Sequence, residues 1–230
     1  MAQMRMGILL ICLLMFDSYK VADALSGAEI QSLQEWQAFY KRHFGIEVDV
    51  NAIDMPPRQI GYDRIIVIAG DLSYEKIILT MRKQFDVVFV NKYLPNYFDN
   101  YLTNTRNNNE TYAIRVKNNT ESGELDLGSA GIEKISPGGN PPFPVINEMT
   151  LKERLLFEMK YHEETRAHLD LETFTVCAGS HFKRDSLALS PAVGWKAGID
   201  EFFTPYLYIS ECYDIYTIDG MYSRNVLVGN

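Results

Sequence analysis

Residues 150–181, TLKERLLFEMKYHEETRAHLDLETFTVCAGSH, decide how this chain is read. Thr150 followed by Glu153 is a capping box: the Thr hydroxyl accepts from the N3 amide and the Glu reaches back to the cap amide. Leu151, Leu155, Leu156 and Met159 recur at helical spacing and predict one buried stripe. Lys152, Arg154, Lys160, Glu163 and Glu164 fill the opposite, solvated face. The helix is expected from Leu151 to about Glu164. Thr173 to Val176 is rich in β formers and ends at Ala178-Gly179-Ser180, so a strand is expected there.

Working outward, a second capping box at Ser26 and Glu29 opens a helix with Ile30, Leu33, Trp36, Gln37 and Tyr40 near one face. Gly45 ends it, and Arg42 and His43 in the last turn suit the helix dipole. Pro56-Pro57 breaks the connector that follows. RIIVIA at 64–69 reads as a strand buried on both faces. Ser73 caps a helix to about Gln84, with Ile77, Ile78 and Met81 inward. Val87 to Val90 is a second apolar strand, so 64–90 predicts one βαβ unit with parallel strands. The turn between them, Ala69-Gly70-Asp71-Leu72-Ser73, has neither phosphate-loop pattern, and Asp71 would repel a phosphate. YAIRVK at 112–117 alternates, as a strand with one wet face does.

Asn118 to Asn147 is a long irregular segment with Gly138-Gly139 and four prolines. It is expected as a mobile loop or hinge. Beyond residue 181, short runs at Val193 to Trp195, Tyr206 to Ser210, Tyr213 to Ile218 and Asn225 to Val228 predict an antiparallel meander. The fold class is therefore α+β: an N-terminal helix, one βαβ unit, a central helix and a mixed sheet with an antiparallel C-terminal meander. Residues 26–230 are read as a single domain behind an apolar segment, 1–25.

That segment carries GILLICLLMF at 7–16 and a small-x-small site at Ala22-Asp23-Ala24, the outline of a signal peptide cleaved before Leu25. The run is too short to span a bilayer. Asp17 and Lys20 interrupt the outline, and a cytoplasmic location is favoured, with export as the alternative. The net charge of −8 argues against a nucleic-acid partner, because no basic patch interleaved with aromatics is present. Three cysteines are too few for a disulfide framework, although Cys177 and Cys212 can pair in an oxidising compartment.

Several blocks carry a resemblance. They are Trp36-Gln37-x-Phe39-Tyr40-x-x-x-Phe44-Gly45, Gly61-Tyr62-Asp63-Arg64-Ile65-Ile66-Val67 and Tyr112-Ala113-Ile114-Arg115-Val116. Thr150-Leu151-x-Glu153-Arg154-Leu155 continues through Glu164-Thr165, His168-Leu169-Asp170 and Cys177-Ala178-Gly179-Ser180. Over roughly 35–181 the chain resembles an uncharacterised family of environmental bacteria, notably candidate-phyla lineages with small genomes. Relatives in that family begin near the first helix, so the apolar N-terminus departs from the pattern. The resemblance implies no activity and assigns no catalytic residue.

Three chemistries remain to be tested. Glu158 and His162 share a helix face, and His168 and Asp170 follow just after it. Four such ligands suit Zn²⁺ or Mn²⁺ in a metal-dependent hydrolase, against the plainer reading of a solvated helix face. Cys177 with His181 or His168 as base is a thiol-nucleophile pattern, against that of a buried, inert thiol. Tyr93, Tyr97, Phe98 and Tyr101 form an aromatic run suited to binding a partner, against the reading of rings folded onto the core. The function expected is a non-enzymatic binding or accessory module for a protein or small-molecule partner. The metal-dependent hydrolase is the alternative, and the cofactor is unknown.

Overall fold

The computed structural model describes residues 25–89, 96–107, 109–120, 147–184, 187–196, 205–211, 221–224 and 226–228. The apolar segment up to residue 24, Tyr93, residues 121–146 of the long loop and the strand expected at 213–218 lie outside them. The chain divides into two units, Met1–Gln31 and Ser32–Asn230. In the described part of the first, the expected capping box opens helix α1 (Gly27–Phe44): the Ser26 amide donates to Glu29 Oε2 at 2.6 Å and the Glu29 amide to Ser26 Oγ at 3.3 Å. Ile30, expected on the buried face, is exposed.

All the sheets belong to the second unit. Strand β1 (Arg64–Ile68) is buried except at its first residue, as its apolar run dictates. Helix α2 (Tyr74–Met81) follows, capped by Ser73 Oγ accepting from the Lys76 amide, with Ile77, Ile78 and Met81 fully buried. Strand β2 (Val87–Phe89) comes next. The succession strand, helix, strand is as expected, but the pairing differs. Strand β1 joins β4 (Tyr112–Val116) antiparallel, and β4 joins β11 (Val226–Val228), while β2 enters a different sheet beside β9 (Tyr206–Glu211). Two parallel strands need a crossover, yet a crossover does not oblige them to be neighbours. The partners of β1 and β2 come from much later in the chain, which local pattern does not reveal.

Strand β4, the middle strand of its sheet, is also buried beyond its first residue rather than wet on one face. Arg115 is accommodated there by donating from Nε to the Pro56 carbonyl at 2.9 Å.

Of the expected C-terminal meander, the runs at 193–195 and 206–210 are antiparallel neighbours, whereas the last, at 225–228, joins β4 in another sheet. Strand β8 (Pro191–Lys196) pairs antiparallel with both β5 (Phe174–Val176) and β9. Parallel edges β10 (Met221–Ser223) and β2 make this five-stranded sheet mixed, in the order β10-β5-β8-β9-β2. A third, antiparallel sheet, not expected from sequence, sets β6 (Ser180–Arg184) between β3 (Leu102–Asn104) and β7 (Leu187–Leu189). The short helix α3 (Tyr97–Tyr101) leads into β3.

The central helix α4 (Leu151–Thr165) opens with the predicted capping box. It packs against β1 of one sheet, β8 of another and helix α2. Every residue from Leu151 to Tyr161 is buried, so the solvated face expected for Lys152, Arg154 and Lys160 does not exist. Buried charges must be paired, and α4 pairs its own at three places, the simplest being Lys160 with Glu164 one turn on. Near its start, Arg106 reaches both oxygens of Glu153 at 2.5 and 2.6 Å, and the Tyr112 hydroxyl adds a third bond at 2.8 Å. The third pairing involves the residues singled out as metal ligands.

Candidate functional site

The structure gathers Glu158 and Asp170 on Arg154, sets His168 on Glu158, and stacks His162 on His168. Glu158 Oε2 accepts from Arg154 Nη1 at 2.9 Å, while Oε1 faces His168 Nδ1 at 2.9 Å and the Trp195 indole N–H at 3.2 Å. Asp170 Oδ2 accepts from Arg154 Nε at 2.9 Å and from Thr175 at 2.5 Å, and Oδ1 from Arg224 Nη2 at 2.6 Å. Burial would raise the Asp170 carboxyl, but the guanidinium groups of Arg154 and Arg224 outweigh it and hold the carboxyl below its ordinary range. These carboxylate oxygens are engaged by cations that belong to the chain. His162 and His168 are stacked, with centroids 4.4 Å apart and planes 7° from parallel. Their in-plane lone pairs therefore lie in separate parallel planes and cannot converge on one ion. Among the described residues, no group of three or more His, Cys, Asp and Glu is arranged to hold a metal.

Cys177 is a free, fully buried thiol, and burial pushes it far above the range in which a thiolate forms. That removes its use as a nucleophile. Of the aromatic run, Phe98 is core: it lies against Tyr74, Phe89 and Phe182 with centroids 5.5 to 6.0 Å away. Tyr101 is exposed and stacks on half-buried Tyr97 at 4.6 Å.

A cleft that no single stretch of sequence announces lies where helices α1, α2 and α4 all end. It is open to solvent, measures about 690 Å³ and is lined by Arg42, His43, Thr80, Lys83, Gln84, His162, Glu163 and Arg166. That volume is in the range of small-molecule sites. Three side chains are permanently cationic and one is anionic. Glu163 is clamped by Arg42 and by His43 Nε2, and His43 Nδ1 faces the Gln84 amide at 3.4 Å. Burial would raise the Glu163 carboxyl, but the hydrogen bonds from His43 and Arg42 prevail and lower it, so it stays ionised. Among the described residues neither Lys83 nor Arg166 has an ion-pair partner.

Arg166 caps α4 in the left-handed region, with φ at +60°, where glycine is the usual occupant. Keeping a side chain with a β-carbon there costs about 1 kcal/mol. His162, which lines the cleft, ends a ladder of rings. Trp195 lies 3.6 Å from His168, His168 lies 4.4 Å from His162, and Phe85 stands edge-on to all three at 5.3 to 5.6 Å. His162 Nδ1 meets the Ala167 carbonyl at 3.2 Å, so it carries the proton there and donates.

Basic residues at a helix C-terminus are ordinary, since they offset the negative end of the dipole. Magnitudes decide whether charge is left over. Three helix ends contribute roughly −0.5 each, against a formal +2 from the three cations and Glu163. A small positive surplus remains in a protein whose overall charge is −8.

No family model matches this chain, and neither a curated protein nor a solved structure matches it. No described helix is long and apolar enough to cross a membrane.

Proposed function

We propose that this protein is a non-enzymatic binding module that takes a small anionic ligand in the cleft at the ends of α1, α2 and α4. The observation that carries the reading is the pair Lys83 and Arg166, two cations without ion-pair partners among the described residues, lining one cleft in an acidic protein. Arg166 offers a planar fork to a phosphate or carboxylate, and Lys83 a point charge. The left-handed backbone at Arg166 supports the reading further, because strain of this kind persists where a side chain serves a ligand. The modest surplus of charge suits a monoanion or dianion and not a polyanion. A binding role fits the lack of an activated nucleophile in the cleft: both His43 nitrogens are engaged, and the Cys177 thiol lies in the core.

Calorimetric titration of inorganic phosphate into the full chain at low ionic strength tests this. Saturable binding is expected, weakened about tenfold or more by the double substitution Lys83→Ala and Arg166→Ala. Heat that never saturates, or equal affinity in parent and double variant, would end the proposal.

A further inference from the structure

We infer that the anion taken by this cleft is attached to a planar heteroaromatic ring, as in a nucleoside monophosphate, and that the ring stacks on His162. The inference rests on the anion-binding reading above. Its independent support is the ladder Trp195–His168–His162. His162 is its last rung and lines the cleft, while Trp195 and His168 do not. One face of the His162 ring is taken by His168 at 4.4 Å and its edge by Phe85 at 5.6 Å. The opposite face is the next position in the ladder. The His162 ring is held for this purpose: Nδ1 is tied to the Ala167 carbonyl and the stack fixes its plane.

Space and charge agree. The cleft of about 690 Å³ is several times what a phosphate needs and leaves room for a sugar and a base. The small positive surplus suits one phosphate rather than three. Stacking on a ring is tolerant of the base, so purine and pyrimidine monophosphates should both bind.

The test measures equilibrium binding of inorganic phosphate, ribose 5-phosphate, AMP and ATP to the full chain at fixed ionic strength. AMP is expected to bind roughly tenfold tighter than ribose 5-phosphate, the size of one stacking contact, and ATP no tighter than AMP. His162→Ala should abolish the preference for AMP over ribose 5-phosphate measured in that same variant. His162→Phe, which keeps a ring, should retain the preference and controls for loss of folding. Equal binding of AMP and ribose 5-phosphate would overturn the aromatic inference and leave the anion site standing. So would a preference for AMP that survives His162→Ala. Failure of all four ligands, phosphate included, would bring down the anion site as well. A short single-stranded oligonucleotide binding more tightly than AMP would replace the free nucleotide with a nucleic-acid partner and overturn the inference.

Discussion

In the proposed anion site, Arg166 would set stability against binding at a single residue. Glycine is free in the left-handed region that Arg166 occupies, so Arg166→Gly should stabilise the protein by up to about 1 kcal/mol in a denaturant titration while weakening phosphate binding. If phosphate affinity were unchanged by Arg166→Gly, Arg166 would be an ordinary helix cap. Glu163 acts in the opposite sense. Its carboxylate sits among the cations that would meet the ligand. Removing its charge with Glu163→Gln should raise phosphate affinity roughly fivefold, the effect of about 1 kcal/mol of repulsion relieved in a solvent-exposed site. The sign of that change separates a site built for anions from charges that only balance helix ends.

At the scale of the element, α4 concentrates the cost of burying charge. Asp170 holds two guanidinium groups, and its carboxyl is depressed below an ordinary value near 3.8. Asp170→Asn should destabilise by about 3–5 kcal/mol, because Arg154 and Arg224 keep their charges and lose a partner. A depressed carboxyl contributes stability above its unfolded value and loses it as pH falls through the folded one. The gap between parent and Asp170→Asn should therefore close below about pH 4 in acid denaturation curves. Lys152 works the other way. Burial lowers it to about 8 from an ordinary 10.5, under the ring of Tyr74. Between those values the unfolded chain binds the proton at this residue and the folded one does not, so the stability of the parent relative to Lys152→Met should rise from pH 8 towards pH 10.5. The sequence disclosed this helix's start, length and apolar stripe, because caps and spacing are local. It hid the burial of the charged face, since only the strands that enclose α4 determine it. A capping-box Glu153 that also meets Arg106, 47 positions away, carries no local mark of that second role.

The whole molecule repeats the contrast. The α+β class, the antiparallel meander and the strands at 64–68, 174–176 and 206–211 follow from β-forming runs and turns. The assignment of β1 and β2 to separate sheets, and the sheet of β3, β6 and β7, depends on partners distant in sequence. Gly179 shows how tightly these distant pieces meet: a methyl there would collide with the Glu148 carbonyl oxygen, so Gly179→Ala should disturb the join between α4 and β6. The cleft is illegible for the same reason. Its residues come from 42–43, 80–84 and 162–166; the basic last turn of α1 drew attention as an ordinary dipole effect and His162 as a metal ligand, and neither reading pointed to a shared cleft. The four histidines give the most direct test of whether that cleft binds anions, since His43 and His162 line it and His181 does not. Side-chain imidazole resonances, recorded by NMR during a phosphate titration, should move in a saturable way for His43 and His162 and stay fixed for His181. Movement of His181 alone, or of none of the four, would contradict an anion site at the ends of these helices.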